Sequence, residues 1–158
     1  MISASYYSEM AIALPGQISD TSKYNVDGAC VLGGAATVPC GYAVAVSQAE
    51  AVPGHKVMEA MGAGKTAYGV AIRSHFASTN SGGHLVYLPG DGINVITSGR
   101  VWMEATAKFT PTFGSPVRLD NDGRVKSDGE VQPTGWTFAG GVTEFKGIYL
   151  VEVQLHQL

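Results

Sequence analysis

Apolar and polar positions alternate in short runs along most of this chain, and glycine-rich breaks separate the runs. The last run is the clearest. In IYLVEVQL, residues 148–155, Tyr149, Val151, Val153 and Leu155 fall on one side of an extended chain. Ile148, Leu150, Glu152 and Gln154 fall on the other, which predicts a long strand with one buried face. The best-specified stretch is PGDGINVITSGRVWM, residues 89–103, and the rest of the chain reads as organised around it. Gly90, Asp91 and Gly92 supply a tight turn, because glycine reaches positive φ without a Cβ clash and aspartate bonds nearby backbone. Ile93, Val95 and Thr97 then alternate with Asn94, Ile96 and Ser98. Ser98 and Gly99 read as a two-residue turn and residues 100–103 begin a second arm, so the pattern predicts a β-hairpin.

Comparable runs cover residues 29–32, 37–40, 42–47, 68–75, 84–88 and 134–139, while residues 117–119 pair plausibly with 123–126 across Asp120, Asn121 and Asp122. Tyr42, Val44 and Val46 share one strand face. The opposite face carries Ala43, Ala45 and Ser47, small enough for a neighbouring layer to approach closely. The best helical candidate, residues 47–52, is too short to stand. Roughly ten short strands with glycine turns predict an all-β single domain over residues 29–158, either a β-sandwich of jelly-roll-like type or a β-barrel. Residues 1–28 have neither period. They are nevertheless apolar through Tyr6, Tyr7, Met10, Ile12 and Leu14, and read as an extended N-terminal arm that orders against another surface; a frayed terminus is the plainer alternative.

At 158 residues the chain can bury on the order of 70% of its unfolded surface without metal or disulfides. Charged residues make up 15% of it, against about 25% in an average soluble domain, and 21 glycines are about twice the usual share. That balance favours tight turns over solvated helices. The net charge of −3 and the absence of any basic run disfavour a nucleic-acid surface. Cys30 and Cys40 lack a second ligand pair for zinc; they could face each other across a hairpin, but two free, partly buried thiols are the simpler expectation. There is no apolar run of about 18 residues and no basic n-region at the N-terminus, so synthesis in a cytoplasm and no membrane partner are expected.

The chemical motifs are weak. Gly64, Lys65 and Thr66 end like a phosphate loop, but Glu59 stands where the first glycine belongs. Asp120, Asp122 and Gly123 imitate a calcium loop, yet the register puts Gly129 where the closing glutamate is needed, so a hairpin turn is the better account. His55, His75, His84 and His156 are scattered, and no serine sits in a nucleophile elbow. Trp102, Trp136, Phe76, Phe109, Phe113, Phe138 and Tyr149 belong to a core or an intersubunit contact. No catalytic residue, metal or cofactor is expected, and the chain reads as a non-enzyme.

Five segments, taken in order, carry a resemblance. They are ALPGQISDTSKYNVDGACVL (13–32), AYGVAIRSH (67–75), GDGINVITSGRVWM (90–103), PTGWTFAGG (133–141) and VEVQLHQL (151–158). As a set they resemble tailed-bacteriophage structural cement proteins, also called capsid decoration proteins. The resemblance implies a virion protein on the capsid exterior, made in the bacterial host cytoplasm. It would bind the phage major capsid protein and stabilise contacts between its subunits, as a homo-oligomer, dimer or trimer. Tyr6, Tyr7, Met10, Ile12, Leu14, Asp91 and Trp102 are the candidate capsid or intersubunit contacts. A tail, fibre or host-surface adhesion module is the alternative, although no internal repeat is visible.

Overall fold

The structure, a computed structural model, describes residues 11–128 and 134–156. Twelve strands run in order: β1 (Asn25–Leu32), β2 (Val38–Pro39), β3 (Ala43–Val46), β4 (Lys56–Ala60), β5 (Gly69–Ala71), β6 (Ser78–Thr79), β7 (Leu85–Tyr87), β8 (Gly92–Ala105), β9 (Arg118–Leu119), β10 (Val125–Lys126), β11 (Thr137–Phe145) and β12 (Ile148–Leu155). Among the described residues there is no helix. The expected all-β fold is therefore present in its barrel form. β1, β4, β3, β5 and β8 pair in sequence, and β8 pairs back onto β1, which closes a five-stranded ring. Only the β1–β4 pairing in that ring is parallel. Beyond the ring, β12 pairs with β8 and β11 with β12, while β9 and β10 form a small hairpin beside the end of β8. β2, β7 and β6 make a separate three-stranded sheet.

The 14-residue β8 organises the molecule, but not as the predicted hairpin. Its first half pairs with β1 and β5, and from Gly99 onward it pairs with β12. The Ser98–Gly99 dipeptide does not reverse the chain. Opposite it, β1 advances one residue from Asn25 to Val26 while β8 passes from Ser98 to Ile96, so β8 holds one extra residue in a bulge. An extra residue exchanges the two faces of a strand. Ile96 and Val101, five positions apart, accordingly lie in the same buried cluster. Gly99 takes φ 109 at the switch, where an added Cβ would meet Tyr24 Cβ at 2.5 Å.

Two large clusters form the core. One gathers Cys30, Leu32, Val44, Met58, Ala71, Ile93 and Val95 from the ring strands with Val38, Cys40 and Tyr87 from the segments beside them. The other joins Ala43, Ala45, Val70 and Ile96 to Val101, Met103, Trp136, Phe138, Val151 and Val153. Strands β3, β5 and β8 thus bury both faces, and the small alanines of β3 meet the second layer as their size suggested. Residues 117–119 and 123–126 pair as expected, and residues 148–155 form one long strand, in which Leu150 on the mixed side is buried as well. Cys30 and Cys40 do not share a hairpin: β1 pairs with β4 and β8, and β2 with β7. Both are free and each is fully buried, which pushes the Cys30 thiol up to about 12 and Cys40 to about 11.

Candidate interaction surface

The N-terminal segment is laced onto β8 before β1 begins. Gly16 donates its N–H to the Trp102 carbonyl at 2.9 Å, Trp102 donates to Gln17 at 2.9 Å, and Ser19 donates to Arg100 at 2.9 Å. Ile18 bridges Val101, and Arg73 N–H reaches the Gly16 carbonyl at 3.0 Å. Gly16 permits this approach: with φ 75, any Cβ there would stand 2.9 Å from Cys40 Cβ. Ser19 Oγ adds a bond to Glu152, and Asp20 pairs with Arg100 at 3.3 Å. Residues 16–19 therefore extend the line of β1 along the second half of β8.

The candidate contacts fall in three places. Leu14 and Ile12 lie where this segment leaves the domain; Ile12 is 76% exposed and Leu14 half-buried. Trp102 sits beneath, 8% exposed, in a small cluster with Ala13 and Leu150 that Phe145 and Ile148 flank. It supports the segment from inside. Asp91 stands just before the other end of β8. Its carboxylate accepts the Leu88 N–H at 2.8 Å and closes the turn before β8. Tyr6, Tyr7 and Met10 lie outside the described residues.

Two clefts open beside the segment. One, of about 360 Å³, is lined by Leu14, Pro15, Arg73, His84, Phe145, Lys146 and neighbours; the other, of about 490 Å³, by Arg73, Ser74, His75, Phe76, Leu85 and Asn94. They meet at Arg73 and Leu85. Among the described residues their linings hold Arg73 and Lys146, apolar groups and a few neutral polar side chains, and no carboxylate. Phe76 stands 64% exposed at the rim. By sequence pattern alone Phe76 groups with the other aromatics, and Arg73 and Lys146 carry no role. The available signal was an aromatic residue in a loop of small and polar residues after β5, a placement that core packing does not require.

The chemical motifs resolve as structure. Lys65 pairs with Glu59 at 3.1 Å and bonds the Ala60 carbonyl, while Gly123 N–H bonds the Asp120 carbonyl to close the β9–β10 hairpin. Among the described residues no three His, Cys, Asp or Glu side chains are grouped to hold a metal, and no helix is long and apolar enough to cross a membrane.

The N-terminal lace and the two clefts give this β domain a built surface, and the comparisons identify its family. The family model described as structural cement protein (E217 gp24/Pam3 gp6) matches residues 2–156. The chain belongs to this family. Among solved structures, the cement protein is similar to a chain of the capsid of Myoviridae phage XM1, with a TM-score of 0.70 and 16% identity over 98% of this chain and 97% of that one. At that identity the likeness concerns the fold. A search of curated proteins found no match. Membership of the family gives the cement protein a structural, capsid-stabilising role.

Proposed function

We propose that this cement protein sits on the capsid exterior, where it ties neighbouring major capsid subunits together through the face built by residues 12–15, Arg73, Phe76 and the β11–β12 turn. The observation that carries this is the pair of clefts lined by cations and apolar groups without a carboxylate, placed where the N-terminal segment leaves the domain. A surface of that kind suits an acidic, partly apolar capsid segment. The apolar residues Tyr6, Tyr7, Met10 and Ile12 precede it in the chain. Ordering backbone costs about 1–2 kcal/mol per residue, and each large apolar side chain fully buried returns roughly 1.5–3 kcal/mol. Four such residues therefore anchor a short stretch rather than an arm along its whole length.

Heads stripped of the protein provide the test. Full-length protein should bind them, and deletion of residues 1–12 should weaken binding while the domain melts as before. Arg73→Glu should weaken it further by charge reversal. Unchanged affinity for both variants would move the contact to another face. The role requires no chemistry, so a hydrolase screen of the purified protein should find no turnover; activity abolished by His75→Ala or His84→Ala would overturn the non-enzymatic reading.

A further inference from the structure

We infer that the outer edge of β11 is the seam at which two copies of this chain join, in a symmetric pairing centred on Thr143. The inference goes beyond the capsid contact proposed above and rests on the open edge of β11 itself. Residues 114–117 cover the beginning of β11: Gly114 and Ser115 exchange main-chain bonds with Phe138, and Pro116 bridges Thr137. From Val142 to Phe145, among the described residues, β11 pairs only with β12.

The two-residue turn at Lys146 and Gly147, with φ 48 and 81, fixes which groups face outward. Phe145 and Ile148 close that turn and exchange both main-chain bonds, and bonded pairs alternate along an antiparallel ladder. Val142 and Glu144, opposite Val151 and Tyr149, then turn their N–H and C=O groups away from β12. A second β11 running antiparallel, with Thr143 facing Thr143, sets Val142 against Glu144 of the second copy twice. That register satisfies all four pairs of outward groups and brings no like charges face to face. A register centred on Glu144 would oppose two carboxylates.

The side chains fit the same register. Val142 is 44% exposed and Phe113 is 72% exposed, with Phe113 Cδ2 3.5 Å from where a Cβ on Gly140 would lie, so an apolar stripe borders the edge. Beside it runs a groove of about 210 Å³ lined by Phe109, Val142 and Tyr149 together with Lys108 and Glu144. Neither Lys108 nor Glu144 has an ion-pair partner among the described residues. In the paired form Glu144 of one copy lies across from Val142 of the other, on the groove side that carries Lys108. Two symmetric ion pairs result, together with a covered Phe113–Val142 stripe.

The experiment is sedimentation analysis of the full chain. Wild type should be a dimer. Val142→Pro removes one outward N–H at an exposed edge where proline is tolerated, and should give a folded monomer that melts as wild type does once diluted to monomer. Lys108→Glu and Glu144→Lys should each weaken dimerisation by about tenfold, since two pairs turn repulsive, and the double exchange should restore it. A wild-type monomer, or a dimer indifferent to both the proline and the charge changes, would overturn the seam. Head binding is measured separately: a monomeric wild type that still binds heads defeats this inference alone, whereas a dimer that ignores heads defeats the cement reading alone.

Discussion

Single side chains in this molecule are constrained most where layers approach through glycine. A Cβ on Gly141 would stand 2.7 Å from Trp102 Cη2 and 3.1 Å from Glu152 Cβ, and the indole is packed in a buried cluster with Ala13 and Leu150. Gly141→Ala should therefore destabilise by about 1–3 kcal/mol through overpacking, read as a lower denaturant midpoint with an unchanged slope. Two carboxylates titrate in opposite senses. Burial raises Asp27, but bonds from Lys56 at 2.8 Å, from the Tyr68 hydroxyl at 2.7 Å and from the Ala29 N–H outweigh it and bring its pKa down to about 2. Its stabilising effect is complete above the unfolded value of 3.8 and is lost as pH falls through about 2. Asp27→Asn should thus lower the melting temperature near neutrality and flatten the acid limb between about pH 4 and 2. Burial also raises Glu104, and Arg124, 3.9 Å away and already bonded to Asp122 at 2.7 Å, does not offset it. There the fold gains stability as the carboxyl takes up a proton. Glu104→Gln should raise the melting temperature at neutral pH, with an advantage over wild type that shrinks on acidification.

At the level of elements, the lace of residues 13–20 belongs to the barrel as much as β1 does. Deleting residues 1–20 removes four main-chain bonds through Gly16, Gln17 and Ser19, each worth about 1 kcal/mol, and uncovers Trp102 as well. Thermal melting should show a loss of several kcal/mol and earlier hydrogen exchange in the second half of β8. A truncation at residue 20 that melts like wild type would show the lace to be incidental. The same elements explain what could be read beforehand. β12 was legible because Val151, Val153 and Leu155 are buried on one side while Glu152 and Gln154 alternate with them, even though Leu150 on that second side is buried too. β8 was legible as β structure and misread as a hairpin, because the bulge beside Ser98 breaks the phase of its alternation as a turn would. Two cues for a continuous strand were present: apolar residues resume immediately at Val101, and polar turn residues between the arms are few. β11 was seen only as far as Ala139, since Gly140 and Gly141 resemble an ending and in fact widen a bulge between Phe138 and Val142. The proposed contact face was less legible than the fold. Lys146 is far in sequence from Arg73 and Phe76, and only the closure of the barrel and the lace bring the β11–β12 turn beside their loop.

At the scale of the whole molecule, a cement protein acts as a ligand of the assembled shell. Its effect follows from linkage: whatever binds the closed lattice better than the opened one stabilises closure by RT ln(1 + [L]/Kd) at each site. At a free concentration about a hundredfold above Kd this is about 2.7 kcal/mol per site, and sites sharing one shell must open together, so modest contacts accumulate into a large barrier to rupture. Added protein should then raise the rupture temperature of stripped heads with concentration until every site is filled, and the rise should be smaller at high salt if Arg73 and its neighbouring cations contribute. Heads made without the protein should still assemble, because a ligand that recognises the finished lattice is not needed to build it, and should release their contents at a lower temperature. Particle counts by electron microscopy and DNA release on heating measure the two halves independently. Failure to form heads at all would make the protein a scaffold, and heads that rupture at the same temperature with or without it would remove the linkage on which a cementing role depends.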